Sequence, residues 1–209
     1  MEQFLKVTLI LHIVSGFTAL LAGIVALIAR KGSRWHKGAG KVFFYSMMGV
    51  SATAVTIAGI KVNDFLLTIG VFAFFQNYSG YRSVKNKTLK PSPADWAVLL
   101  LAAVNSIYMV ATLNIVLVVF GLLSAGQVYS EVVLFAKTAR NIAVNKKQWL
   151  LRHIAMMVGA FIATTTAFVV VNVRNASPAW LPWLLPTAVL VPIIVYWSRK
   201  VRATGKATV

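Results

Sequence analysis

From Asp95 to Phe135 the chain is apolar with scarcely a polar break. As one helix this stretch would reach about 60 Å, roughly twice the hydrocarbon thickness of a bilayer. A run too greasy for water and too long for one crossing must cross, turn and cross back. The turn falls near "ATLN", Ala111 to Asn114, although no glycine or proline marks it. Composition agrees with a membrane solvent: of 209 residues, 59% are hydrophobic and only 12% charged, whereas a soluble domain carries about a quarter charged residues to coat its surface.

The same periodicity predicts seven membrane helices, at 4–29, 42–61, 65–82, 95–112, 114–136, 150–173 and 179–198, in a single integral membrane domain spanning 1–209. The breakers lie between them, in "RKGSRWHKGAGK", "KVND", "RSVKNKTLKPSPAD", "KTARNIAVNKKQ" and "RNASPAW". The first apolar stretch is too long for a cleavable signal and has no small-x-small site after it. The fold class is therefore an all-α polytopic bundle.

Charge sets the expected orientation. Eighteen of the 21 basic residues cluster between helices one and two, three and four, five and six, and in the tail; only Lys6, Lys61 and Arg174 fall on the other side. By the positive-inside rule the N-terminus is outside and the C-terminus cytoplasmic, in a bacterial inner membrane. Trp35, Trp96, Trp149 and Trp197 then mark the inner interface, and Trp180 and Trp183 the outer. The net charge of +17 is thus explained by topology, and its scatter over four patches argues against nucleic acid. Zero cysteines exclude disulfides and thiolate metal sites.

Ionisable groups inside spans are costly and are functional candidates by default. His12 falls in the outer half of the first helix, while His36, Glu131 and His153 share the cytoplasmic half. His12, Gly16, Ala19, Gly23 and Ala26 lie on one helical face, as do His153, Met157, Ala160, Thr164 and Ala167. Small residues on those faces let helices approach closely, so both histidines should point into the bundle. Three readings stay open for them: interhelical packing, ligation of haem or a metal, and a proton or substrate path. In the ligation reading His12 and His153 are the ligands, Met157 one turn after His153 suits haem or copper, and His36 is an outer or cytoplasmic ligand. A zinc-type metal site would have to combine His36, Glu131 and His153 across three elements. Asn105, Tyr108 and Met109 fall at a depth similar to His12.

"FFQNYSGYRS" at the end of helix three and "GQVYSE" in helix five gather polar groups at one depth. They suggest a cytoplasmic-facing polar cavity using Tyr81, Arg82, Glu131 and Arg152. A carboxylate there needs a partner, and Arg82, Arg152 and His153 are the candidates for Glu131. The glycine-rich basic segment "KGSRWHKGAGK" could hold a lipid headgroup. No hydrolase motif of the Gly-x-Ser-x-Gly or His-Glu-x-x-His kind occurs.

The first-helix histidine with "GFTALLAG", the "KGSRWHKGAGKVF" loop, "SGYRS" and "RHIAMMVGAFIATTTAF" together resemble an uncharacterised bacterial family of predicted membrane proteins, domain of unknown function 2306. Carried over by position, the resemblance points to His12, His36, Tyr81, Arg82, Arg152 and His153, and adds no activity. A looser likeness to seven-helix zinc receptors and hydrolases of the adiponectin-receptor type fails on the missing His-x-x-x-His and on the opposite topology. The leading expectation is a membrane protein binding haem b or a transition metal, for electron transfer or respiratory-complex assembly. It would work in the lipid bilayer with a membrane redox partner. The alternative is a small transporter or lipid-binding protein.

Overall fold

The computed structural model describes the backbone of residues 1–173 and 175–206. Arg174, and the side chain of Lys206, both used in the charge count, lie outside the described residues. Seven helices follow in chain order: α1 (Glu2–Ile28), α2 (Arg34–Lys61), α3 (Asp64–Lys85), α4 (Pro93–Ala111), α5 (Ile115–Ala139), α6 (Gln148–Asn172) and α7 (Leu181–Lys206). There is no strand among the described residues.

Local chemistry sets the helix ends. The long run expected to double back does so between Ala111 and Ile115. Leu113 takes the left-handed conformation at φ 57°, and the Asn114 side chain accepts from the Val116 and Leu117 amides to start α5. At the head of α4, Ser92 and Asp95 form a reciprocal capping box, with Pro93 in the first turn. The largest departure from expectation is α2, which begins at Arg34, well before 42. The Ser33 side chain accepts from the His36 amide and nucleates a turn through residues that read as a glycine-rich loop. His36 is consequently a first-turn helical residue.

Successive helices pack as antiparallel neighbours from α1 to α5 and again from α6 to α7, and α6 returns to pack on α3 at the centre. Among the described residues six helices are long and apolar enough to cross a membrane; α3 falls outside that set. Its position explains why. Wrapped by α2, α4 and α6, α3 needs no lipid-compatible surface and keeps Gln76, Asn77, Ser79 and Ser83 buried. One apolar core joins Ala19, Phe43, Met47, Phe72, Phe120 and Phe161 in the middle of the bundle. A second gathers Phe75, Leu89, Leu99, Phe135 and Met156 beneath the loop between α3 and α4.

Both small-residue faces serve close approach. A Cβ on Gly23 would sit 2.3 Å from the Phe161 ring, so α1 meets α6 there. A Cβ on Gly80 would sit 2.6 Å from Met157 Sδ, which brings α3 onto α6. On the face starting at His153, His153 and Met157 are half-buried, Ala160 and Thr164 are buried, and Ala167 is exposed. Alternation of direction puts the first turns of α2, α4 and α6 at one end of the bundle with the last turns of α1, α3, α5 and α7. The basic residues collect there; we call it the basic end.

Candidate functional site

Two arginine–carboxylate clusters and a histidine pair occupy the basic half. Arg152, near the start of α6, donates through Nε to both oxygens of Glu131 on α5, at 2.8 and 2.7 Å. Its Nη1 donates to Ser83 Oγ on α3 at 3.0 Å, and its guanidinium lies over the Phe135 ring, 5.4 Å from the centroid. Glu131 and Arg152 are only 3% and 6% exposed. An isolated charge at that depth would be very costly, so pairing plus a further hydrogen bond is what permits both. The interaction joins α3, α5 and α6 at one point.

The second cluster was missed in the sequence. Arg82 on α3 donates to Asp95 at 3.0 Å through Nε and 3.1 Å through Nη2. Tyr78 Oη donates to the same carboxylate at 3.1 Å, as do the Ser92 amide and hydroxyl at 2.7 and 2.8 Å. Asp95 stands where the expected loop meets helix four, and Ser92-Pro-Ala-Asp95 is a legible capping box there. Of the three partners considered for Glu131, Arg152 is the one bonded to it; Arg82 serves Asp95.

His36 and His153 face each other, with ring centroids 6.3 Å apart and planes at 85°. His153 Nδ1 lies 2.9 Å from the Gly80 carbonyl oxygen, and His36 Nδ1 lies 2.9 Å from that of Ala26. A carbonyl can only accept, so each Nδ1 carries a proton and donates it. In the neutral ring that leaves the Nε2 lone pair free. Met157 Sδ packs against Gly80, beside the carbonyl that holds His153. Four helices thus meet at the pair: α2 and α6 carry the rings, while α1 and α3 supply the orienting carbonyls.

The other expected residues are dispersed. His12 is half-buried in the far half of α1, 14 residues before Ala26 and thus about 21 Å along the axis. Its Nδ1 lies 2.9 Å from Thr53 Oγ1 on α2; since Thr53 uses its own proton on backbone carbonyls, His12 donates. Asn105 and Met109 are buried, with Asn105 donating to the Thr68 carbonyl and Met109 Sδ. Tyr108 donates to Asp64 at the surface. Tyr81 stacks on Phe44 at 3.9 Å. Tyr129 is 72% exposed and faces outward, away from Glu131. The polar groups are packed against helices: Asn77, for instance, donates to the Phe44 carbonyl at 3.0 Å. Glu131 does not join the two histidines, because Arg152 takes both its oxygens. Among the described residues no group of three or more His, Asp and Glu is gathered around one point.

These features define a multi-pass, all-helical membrane protein with a polar, cross-linked half. Residues 9–93, which cover α1 from Leu9 onward, α2, α3 and the loop after them, match the family described as predicted membrane protein (DUF2306), and the chain resembles that family over this stretch. The matched segment includes His12, His36, Tyr81 and Arg82; His153 lies beyond it. No curated protein and no solved structure matches.

Proposed function

We propose that this protein binds a transition metal between His36 and His153, as haem b iron or as a copper ion, and hands electrons to a membrane redox partner. The carrying observation is the state of the two rings: each Nδ1 is held by a backbone carbonyl, and each Nε2 is free. That is how protein ligands are oriented for metals, with the second nitrogen hydrogen-bonded to fix tautomer and direction. The separation suits it. A ring nitrogen about 2 Å from a metal puts two ring centres a little over about 6 Å apart when the imidazoles oppose each other across one ion. Two imidazoles, with Met157 one turn on from His153 as a further soft donor should its sulfur turn to the ion, suit copper or haem iron better than a hard cation. Such a metal would supply one-electron chemistry at the membrane edge; the chain's own residues orient the imidazoles and exclude competing carboxylates.

In this reading the basic end is cytoplasmic, the N-terminus is outside, and the protein sits in a bacterial inner membrane. His12 acts as interhelical glue through Thr53. A transporter built on Glu131 and Arg152 has less support, since those side chains are bound to each other and almost wholly buried.

The test is an absorption spectrum of the full chain in mild detergent, expressed with haem available, before and after dithionite, with elemental analysis. A Soret band that shifts on reduction identifies haem, and stoichiometric copper without it identifies a bare ion. A folded sample with neither overturns the proposal.

A further inference from the structure

An open groove of about 700 Å³ runs along the lipid-facing side of the α1–α2 hairpin, apart from the histidine pair. Leu21 and Val25 form one wall, Gly38 and Val42 the other, and Arg34 and Trp35 stand at its basic-end mouth. It extends from that mouth to Thr18, ten residues before the end of α1, so about 15 Å deep. That is half of the roughly 30 Å hydrocarbon core, one leaflet. Trp35 is 65% exposed, at the depth where indoles sit at headgroup level.

The mouth is positively charged and without carboxylates. The chain has four acidic residues, all engaged elsewhere: Glu2 with Lys6, Asp64 with Tyr108, Asp95 with Arg82 and Glu131 with Arg152. Arg34, Lys37 and Lys41 are exposed and form no ion pair among the described residues. Gly38 opens onto the groove: a Cβ built there meets nothing within 4 Å.

We infer that this groove is a binding site for an anionic phospholipid of the basic-end leaflet. One acyl chain lies between α1 and α2, the phosphate rests on Arg34 and Lys37, and Trp35 packs at the glycerol level. A chain-length apolar slot under a cationic mouth selects an amphiphile with a negative head, by both shape and charge.

The experiment is native mass spectrometry of the full chain in mild detergent with equimolar phosphatidylglycerol and phosphatidylcholine of identical acyl chains. Wild type should retain phosphatidylglycerol several-fold over phosphatidylcholine. Arg34→Gln with Lys37→Gln should remove the preference, and so should Gly38→Leu, which puts a branched side chain into the slot while leaving every charge; its Cβ meets nothing within 4 Å. Arg140→Gln with Lys146→Gln, basic residues elsewhere at the same end, should leave it intact. Equal retention of both lipids by wild type overturns the inference. So does an undiminished preference in Gly38→Leu, which would place the lipid elsewhere on the basic end. Dimers that Gly38→Leu dissociates, without lipid preference, would make the groove an interface between copies and equally overturn it.

Discussion

At the residue scale the buried charges decide most. Arg152 and Glu131 tolerate burial only together, so removing one leaves the other uncompensated. Arg152→Leu should destabilise the protein by about 3–5 kcal/mol, whereas Arg152→Leu combined with Glu131→Leu should be much closer to wild type. Thermal unfolding in detergent checks this; a double variant less stable than the single would contradict it. Part of the site could be read from letters alone. Glu131 in an apolar helix announces that it needs a cation, and its partner was among the three considered. The Asp95 pairing was hidden for a different reason: Asp95 stands where the expected loop meets helix four, and nothing in the letters says that Arg82, one helix back, reaches it. That His36 and His153 share a half follows from helix direction. Their facing rings do not, because that depends on how far α2 extends and how α6 is rotated.

At the element scale, close approach and helix extension dominate. Gly80→Ala would force a Cβ to within 2.9 Å of the Met157 backbone nitrogen as well as 2.6 Å of its sulfur. It should cost about 1–3 kcal/mol through overpacking and pull the Gly80 carbonyl off His153. Gly16→Ala meets nothing within 4 Å and should be neutral or slightly stabilising, because alanine is the better helix former. Melting temperatures of the two variants in the same detergent separate these outcomes; equal shifts would show that α3 and α6 yield at Gly80. Helix number and the reversal at Ala111 to Asn114 were legible because apolar length against bilayer thickness leaves few alternatives. The start of α2 was not legible. Glycines and lysines suit a loop by propensity, yet the Ser33 cap and packing on the end of α1, where the Ala26 carbonyl accepts from His36, favour helix. The modest apolarity of α3 has the complementary cause: a helix enclosed by three others is selected for interhelical bonds and close contact, and lipid compatibility matters little.

At the scale of the whole molecule, the account joins a lopsided charge distribution to a lopsided site. The basic end holds both arginine–carboxylate clusters, the histidine pair and the mouth of the α1–α2 groove, while His12, hydrogen-bonded to Thr53, lies in the far half. The orientation can be tested directly because the chain has no cysteine. In intact bacteria a membrane-impermeant maleimide should label Asn175→Cys and leave Lys87→Cys unlabelled until the cells are opened; the reverse pattern would invert the topology. The central claim is that His36 and His153 hold one metal between them, and metal content per chain in three variants tests it most directly. Glutamine can still donate to the carbonyl but offers no imidazole. His36→Gln and His153→Gln should each abolish the bound metal, the pair together should lose no more, and His12→Gln should keep it. If either single variant of the pair kept its metal, or if His12→Gln lost it while still folded, the shared site would be contradicted.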